Sequence, residues 1–239
     1  ESGTLETKPT VLPLSIGDGE LCETALTTVS VPEMFQYWLQ GGRISVGFLG
    51  GAQIDRFGNL NSTVIGPYDK PKVRLPGSGG ATEIATGCQR IYVVMRHNPR
   101  AFVQTLGFVT SLGHGVTGRE RREMGIRTEG PTLVVTDLCT MTPDAETKEF
   151  EVVSLHPGVT REQVRENTGW DVRFAGQVAD GGLSEVEIAY EGQVAQLNRK
   201  PLTSAALAGL LRPFLAEVNM VSAPAILQEP LQEGAHGAH

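Results

Sequence analysis

The chain has 239 residues, 40% of them hydrophobic, enough to bury a full core in one large domain or two small ones. Its formal charge of −7 comes from 27 acidic and 20 basic residues mixed along the sequence. That balance lacks the basic clustering that a phosphate backbone selects, so nucleic acid is excluded as the expected partner.

In chain order, Val31-Pro32 opens PEMFQYWLQ, with Pro32 suited to a first helical position and Gly41-Gly42 to the stop, which predicts a helix of about two turns. RISVGFLG (43–50), RIYVVMR (90–96) and TLVVTDL (132–138) are short, β-branched-rich apolar runs, expected as core strands covered on both faces. TMTPDAETKEFEVVSL reads as a turn around Pro143-Asp144 followed by a strand, which predicts an antiparallel pair and hence a mixed sheet. Thr160 and Gln163 have capping-box spacing ahead of REQVREN, and Gly169 stands where that helix would end. Thr203 and Ser204 are expected to cap AALAGLLRPFLAEV, interrupted at Pro213, and residues 226–239 to form a disordered tail. The expected fold is therefore α/β, a mixed sheet flanked by helices, in a single domain over residues 1–225.

Cys22, Cys88 and Cys139 are widely spaced and outside any CxxC pattern, which argues against a disulfide framework or zinc site and for a reducing, cytoplasmic setting. No run approaches the ~20 apolar residues of a membrane span, so no membrane is expected as a partner. ESGTLETKPT has neither the basic nor the apolar region of a signal peptide. Without an export signal, the Asn61-Ser62-Thr63 sequon is read as a chance match.

Two stretches carry the chemical signal. GGAQIDRFGNLNST (50–63) leaves an apolar strand through two glycines and then places Gln53, Asp55, Asn59 and Asn61 on one short segment with no nucleophile, metal ligand or phosphate loop. Pro76-Gly77-Ser78-Gly79-Gly80-Ala81-Thr82, ahead of EIATGC, sets three glycines before a predicted helix, where bare backbone N–H groups can face an anion or oxyanion. A dinucleotide fingerprint is only weakly matched, since Thr82 stands at the third glycine and no strand runs directly into the loop, and a P-loop fails for want of Lys-Ser or Lys-Thr. A glycine-rich turn between elements explains the same residues, and local pattern leaves the two readings open.

Glu1-Ser2-Gly3, GGAQID-x-x-GN-x-NST, YDKPKVR, GSGGA and ENTGWDV (166–172) stand in an order that closely resembles the β subunits of class I CoA-transferases of the glutaconate type, over residues 1 to 172. The family places its catalytic glutamate in an E-S-G or E-N-G tripeptide upstream of the Gly-Gly-Ala strand, so the resemblance implies Glu1 as nucleophile. It also implies that the chain lacks the family's N-terminal segment, a strand–helix unit and the strand leading to the glutamate. Relatives of the family include a hydrolase and a decarboxylase acting on CoA thioesters, and a non-catalytic partner subunit is a further alternative; in the decarboxylase the glutamate is replaced, so its presence favours transfer. The implied function is movement of CoA between an acyl-CoA and a short acid, dicarboxylic by family likeness and typified by glutaconate. The route is an acyl-glutamyl anhydride and a glutamyl-CoA thioester. Coenzyme A is substrate, no tightly bound cofactor is implied, and the expected partner is an α subunit in an α2β2 or larger assembly.

A carboxylate is a poor nucleophile in water and must be presented close to the thioester carbon in a partly desolvated cleft. Each step passes through a tetrahedral oxyanion, for which the backbone N–H groups of the Gly79-Gly80 turn are the expected donors. Gly50, Gly51, Ala52, Gln53 and Ser78 are expected around the substrate, with Gln53 positioning a carboxylate or carbonyl; Lys72 and Arg74 are secondary candidates to meet CoA phosphates or a substrate carboxylate, and a solvated basic loop explains the same residues. Asp55, Asn59 and Asn61 read as scaffold around a turn at Gly58, and Lys70 as a secondary candidate beside Lys72. His97, His114 and His156 have no metal-ligand spacing. Arg119, Arg121 and Arg122 read as an exposed charged face.

Overall fold

The apolar β-branched runs become the spine of one sheet. The computed structural model describes residues 3–179, all within the first of two units into which the chain divides after Gly182. The single domain expected over 1–225, the helix around Pro213 and the tail extend beyond the described residues.

Strands β1 (Val46–Leu49), β2 (Arg90–Val94), β3 (Gly130–Val135), β4 (Cys139–Pro143), β5 (Phe150–Leu155) and β6 (Arg173–Ala179) lie in chain order across a six-stranded sheet. The pairs β1–β2, β2–β3 and β5–β6 are parallel, whereas β3–β4 and β4–β5 are antiparallel. The mixed sheet expected from the sequence is therefore present. The turn at Asp144 forms because its Oδ1 accepts from the N–H groups of Glu146 (3.0 Å) and Thr147 (2.7 Å), an Asx turn of the kind that short acidic side chains favour.

The helices are short: α1 (Gly19–Glu23), α2 (Val31–Glu33), α3 (Ala81–Gly87), α4 (Glu120–Glu123) and α5 (Arg161–Glu166). The capping box of Thr160 and Gln163 is closed at both hydrogen bonds. The expected two-turn helix from Pro32 is only partly α. After one turn it widens into a π-helix over Met34–Leu39, with Gln40 N–H donating to Phe35 O at 2.9 Å. Met34 and Leu39, its first and last residues, are both buried.

Ile91, Val93, Val134, Met141 and Val152 fill the core from the sheet, and Phe102, Phe150 and Val164 close it. Burying such a side chain contributes ~1.5–3 kcal/mol each. The other face departs from expectation at the first two strands: Phe48 is 69% and Val94 55% exposed. Within the described residues β1 and β2 thus alternate buried and exposed positions, the pattern of a sheet covered on one face.

Candidate functional site

The stretch after β1 folds back on itself. The hairpin Gln53–Ile54 with Leu60–Asn61 closes over Asp55, whose Oδ1 accepts from the N–H groups of Phe57 and Asn59, both at 3.0 Å. Gly58 turns the chain at φ 72°, a left-handed conformation that glycine adopts without strain. Asn59 Nδ2 donates to both Asp55 oxygens (3.1 and 2.8 Å) and to Gly115 O (2.7 Å), while its Oδ1 accepts from Gly113 N–H at 2.8 Å. Asn61 Nδ2 donates to Gln53 Oε1 (3.0 Å) and Val64 O (2.7 Å). These three side chains hold the turn, in line with their reading as scaffold. Burial pushes the Asp55 carboxyl pKa up against the hydrogen bonds from Asn59. Gln53 is half-buried, its amide oxygen taken by Asn61 and its Nε2 donating to Arg100 O at 3.4 Å. Gly50 and Gly51 sit where an added Cβ would come within 3.3 Å of the carbonyls of Val94 and Gln53 respectively.

The glycine loop lies directly against this stretch. Gly77 N–H donates to Ser62 O and Ser62 Oγ donates to Gly77 O, each at 2.9 Å, and Leu75 N–H donates to Thr63 O at 2.9 Å. The loop thereby prolongs the ladder of Val64–Ile65 with Val73–Arg74. Gly77 and Gly79 have φ of 97° and 50°, and Gly80 is the buried N-cap of α3. Ser78 and Gly79 are exposed at the tip.

Thr110 joins the two motifs. Its Oγ1 accepts from Ser62 N–H (2.9 Å) and lies 2.8 Å from Thr63 Oγ1, and its carbonyl accepts from Thr82 Oγ1 (2.9 Å) in the first turn of α3. Sequence reasoning passed over Thr110 because its partners are remote along the chain and nothing near it is marked.

Arg121 corrects the expected exposed face. It is 4% exposed, and its guanidinium donates to the carbonyls of Ala85 (2.7 Å), Thr128 (3.0 Å), Leu112 and Gly113 (both 3.3 Å). The physical reason is the end of α3, whose last carbonyls have no partner within the helix and attract a cation. Thr128 Oγ1 satisfies a second of them, Thr86 O, at 2.8 Å. A cleft lined by Gln40, Glu83, Thr86, Gln89 and Arg127 opens at that end of α3, away from the glycine loop.

Two histidines are buried. His97 stacks on Phe102 with centroids 3.7 Å apart and contacts the hydroxyls of Thr136 and Thr168. Cys139 Sγ lies 3.7 Å from its Nδ1, but burial pushes that thiol pKa up to about 12, so no thiolate forms for a nucleophilic pair. His114 Nε2 donates to Pro131 O at 2.8 Å. Burial lowers the pKa of each imidazole to about 4. Lys72 and Arg74 are exposed on the hairpin that feeds the glycine loop. Glu1 and Ser2 lie outside the described residues; Gly3, the third residue of the tripeptide, is buried with φ 88°, and its carbonyl accepts from Val29 N–H at 2.8 Å.

A mixed sheet flanked by short helices, with two glycine motifs joined into one loop cluster, defines the class I CoA-transferase fold. The family model for Coenzyme A transferase matches residues 1–167, and the chain belongs to this family. It is 60% identical over 189 residues to the B subunit of the 3-oxoadipate CoA-transferase of Pseudomonas knackmussii, covering 79% of this chain and 73% of that protein. The B subunit of the glutaconate CoA-transferase of Acidaminococcus fermentans is 40% identical over 180 residues, 72% of this chain and 66% of the relative. The crystal structure of glutaconate coenzyme A-transferase from that organism superposes with a TM-score of 0.69 at 33% identity, covering 83% of this chain and 75% of the solved one. A second family model, the D-3-phosphoglycerate dehydrogenase intervening domain, matches residues 166–230.

Proposed function

We propose that this chain is the β subunit of a CoA-transferase that moves CoA between an acyl-CoA and a short dicarboxylic acid, with Glu1 as nucleophile. The observation that carries the reading is the E-S-G tripeptide. Gly3 must be glycine, because its φ is 88° and an added Cβ would collide with Val29 O. The backbone beside Glu1 is thus anchored, which is what a carboxylate aimed at a thioester requires.

In the proposed sequence, Glu1 attacks the thioester carbonyl and expels CoA thiolate, giving a mixed anhydride. The thiolate attacks the glutamyl carbonyl and releases the first acid, leaving a glutamyl-CoA thioester. The second acid attacks that thioester, and CoA thiolate returns to the new acyl group, freeing Glu1. The Gly79-Gly80 turn supplies oxyanion donors, and losing one such donor typically costs ~3 kcal/mol of barrier. Gly50, Gly51 and Ala52 let substrate approach the backbone, Ser78 borders it, and Gln53 orients the strand end. CoA acts as substrate, with no tightly bound cofactor, and an α subunit completes the enzyme as α2β2 or larger.

Identity favours the acid of the 60% relative, named for 3-oxoadipate, over the glutaconate of the 40% relative. Both are dicarboxylates, so the class of substrate is the same. Incubating the complex with an acyl-CoA and no acceptor acid should accumulate the glutamyl-CoA thioester, and borohydride should then inactivate the enzyme by reducing it. Peptide mass analysis should place the change at Glu1, and Glu1→Ala should abolish labelling and transfer together. Labelling elsewhere, or normal transfer by the Ala variant, refutes the reading.

A further inference from the structure

Two hydroxyl groups in the loop cluster share one contact, and counting their protons leaves one over. Thr110 Oγ1 accepts from Ser62 N–H at 2.9 Å and lies 2.8 Å from Thr63 Oγ1. Each hydroxyl carries one proton and two lone pairs. Thr110 is 8% exposed, and among the described residues Thr63 Oγ1 is the acceptor within reach of its proton. A buried hydroxyl proton without an acceptor is costly, so Thr110 donates to Thr63. Thr63 is half-buried. Having accepted, it keeps a proton for which no described residue offers an acceptor.

The backbone that carries this hydroxyl is fixed on both sides. Thr63 N–H donates to Asn61 Oδ1 at 3.1 Å, and the same Asn61 amide holds Gln53 Oε1. Thr63 O accepts from Leu75 N–H at 2.9 Å. The glycine loop is tied to the residues that flank Thr63 in space: Gly77 is bonded to Ser62 through its N–H and its carbonyl, and Thr82, in the first turn after Gly80, is bonded to the carbonyl of Thr110. Thr63 therefore stands between the two attachments of the loop over 77–82. A donor held in this way needs no reorganisation when negative charge develops beside it, which is the requirement for stabilising an oxyanion. A solvated surface threonine has neither a buried hydroxyl to orient it nor hydrogen bonds at both its N–H and its carbonyl.

We infer that the Thr63 hydroxyl is a further donor to the oxyanion of the acyl group, oriented by Thr110. The proton stays on Thr63 throughout, and its hydrogen bond strengthens as the carbonyl of the thioester or anhydride becomes tetrahedral. This assignment rests on the CoA-transferase reading above and adds a side-chain donor to the backbone donors of the Gly79-Gly80 turn.

The test is a double-mutant cycle in the complex of the full chain with its α subunit. Thr63→Val keeps the shape and removes the hydroxyl; kcat and kcat/KM should fall together by ~10-fold or more with little change in Tm, the pattern of an interaction made only in the transition state. Thr63→Ser, which returns the hydroxyl, should recover most of the loss. Thr110→Val should lower kcat in the unsubstituted chain and lower it less in the Thr63→Val background, because the proton it orients is then gone. Normal turnover by Thr63→Val, a loss confined to KM or to Tm, or single losses that multiply in the double variant overturn the assignment. Borohydride labelling keeps the two readings apart. A labelled Glu1 together with normal turnover of Thr63→Val removes Thr63 and leaves the transferase reading standing, whereas an unsubstituted complex that takes no label removes both. Should Thr110→Val fail to fold, the pair Thr63→Val and Thr63→Ser decides alone.

Discussion

Asn59 donates both amide hydrogens and accepts at its oxygen within the protein, and Asn61 is similarly occupied. A buried amide so engaged has no free valence for substrate, and truncating it strands the groups it served. For Asn61 that was legible in the sequence, because Asn beside a Gly-centred turn bonds nearby backbone, here Val64 O and the Thr63 N–H, whereas Asn59 reaches Gly113 and Gly115 far along the chain. The burial of His97 and His114 was not, since it depends on segments far apart in the chain. Their consequence is a pH dependence of stability. Both imidazoles have folded pKa values of about 4, below the ordinary 6.5, with burial the main cause; Asp137 partly offsets it for His97, and Arg121 and Lys148 add to it for His114. Between these values the unfolded chain binds more protons, so the stabilising effect of the neutral rings is full above pH 6.5 and is lost as pH falls toward 4. Each contributes a slope of up to ~1.4 kcal/mol per pH unit. Asp55, with its pKa raised by burial, works in the opposite direction. Thermal unfolding followed by circular dichroism should show Tm falling from pH 7 to pH 5, and His114→Gln, whose amide can still donate to Pro131 O, should flatten that fall. An unchanged slope in the variant would count against the assignment.

At the scale of elements, strand runs and caps were legible because their causes are local. RISVGFLG, RIYVVMR and TLVVTDL became β1, β2 and β3, and the capping box at Thr160 opened α5. What the sequence hid was how α3 is held. Arg121 and Thr128 satisfy its C-terminal carbonyls, while Thr82 ties its first turn to Thr110. No periodicity marks a cation that serves another helix's end, so Arg121 looked like one of three surface charges. Helix α3 is the platform on which the Gly79-Gly80 turn stands, so fixing both ends fixes the turn. Gly79→Ala places a Cβ at φ 50°, a left-handed conformation that costs ~1–2 kcal/mol for an ordinary residue. Relaxing that strain moves the backbone N–H groups of the turn, in which Gly79 is exposed and Gly80 buried. Steady-state assays should therefore find kcat reduced ~10-fold or more, with little change in Tm. Full turnover in a folded Gly79→Ala protein would remove the turn from the mechanism.

For the whole molecule, family membership rests on several motifs in one order, which is why the fold and the class of chemistry could be anticipated while the acid could not. Residues that select an acid need not lie on this chain. In the proposed reaction a dicarboxylate would present one carboxylate to the glutamyl group of Glu1 and need a cation for the other. The exposed cations within the described residues include Lys70, Lys72 and Arg74 on the hairpin that feeds the glycine loop, and Arg96 and Arg100 after β2, where Arg100 O accepts from Gln53 Nε2. His97 and His114 are held neutral by burial, and Arg121 spends its guanidinium on carbonyls. The relatives are themselves named as B subunits, and on the proposed reading a cation of the α subunit meets the second carboxylate. The isolated chain should accordingly show no measurable transfer to a dicarboxylic acid, and adding purified α subunit should restore it in proportion to complex formed. The measurement is the rate of acyl-CoA exchange across a titration of one subunit into the other, with a plateau at equal stoichiometry. If α-free protein reaches the turnover of the complex, the acid-binding cation belongs to this chain.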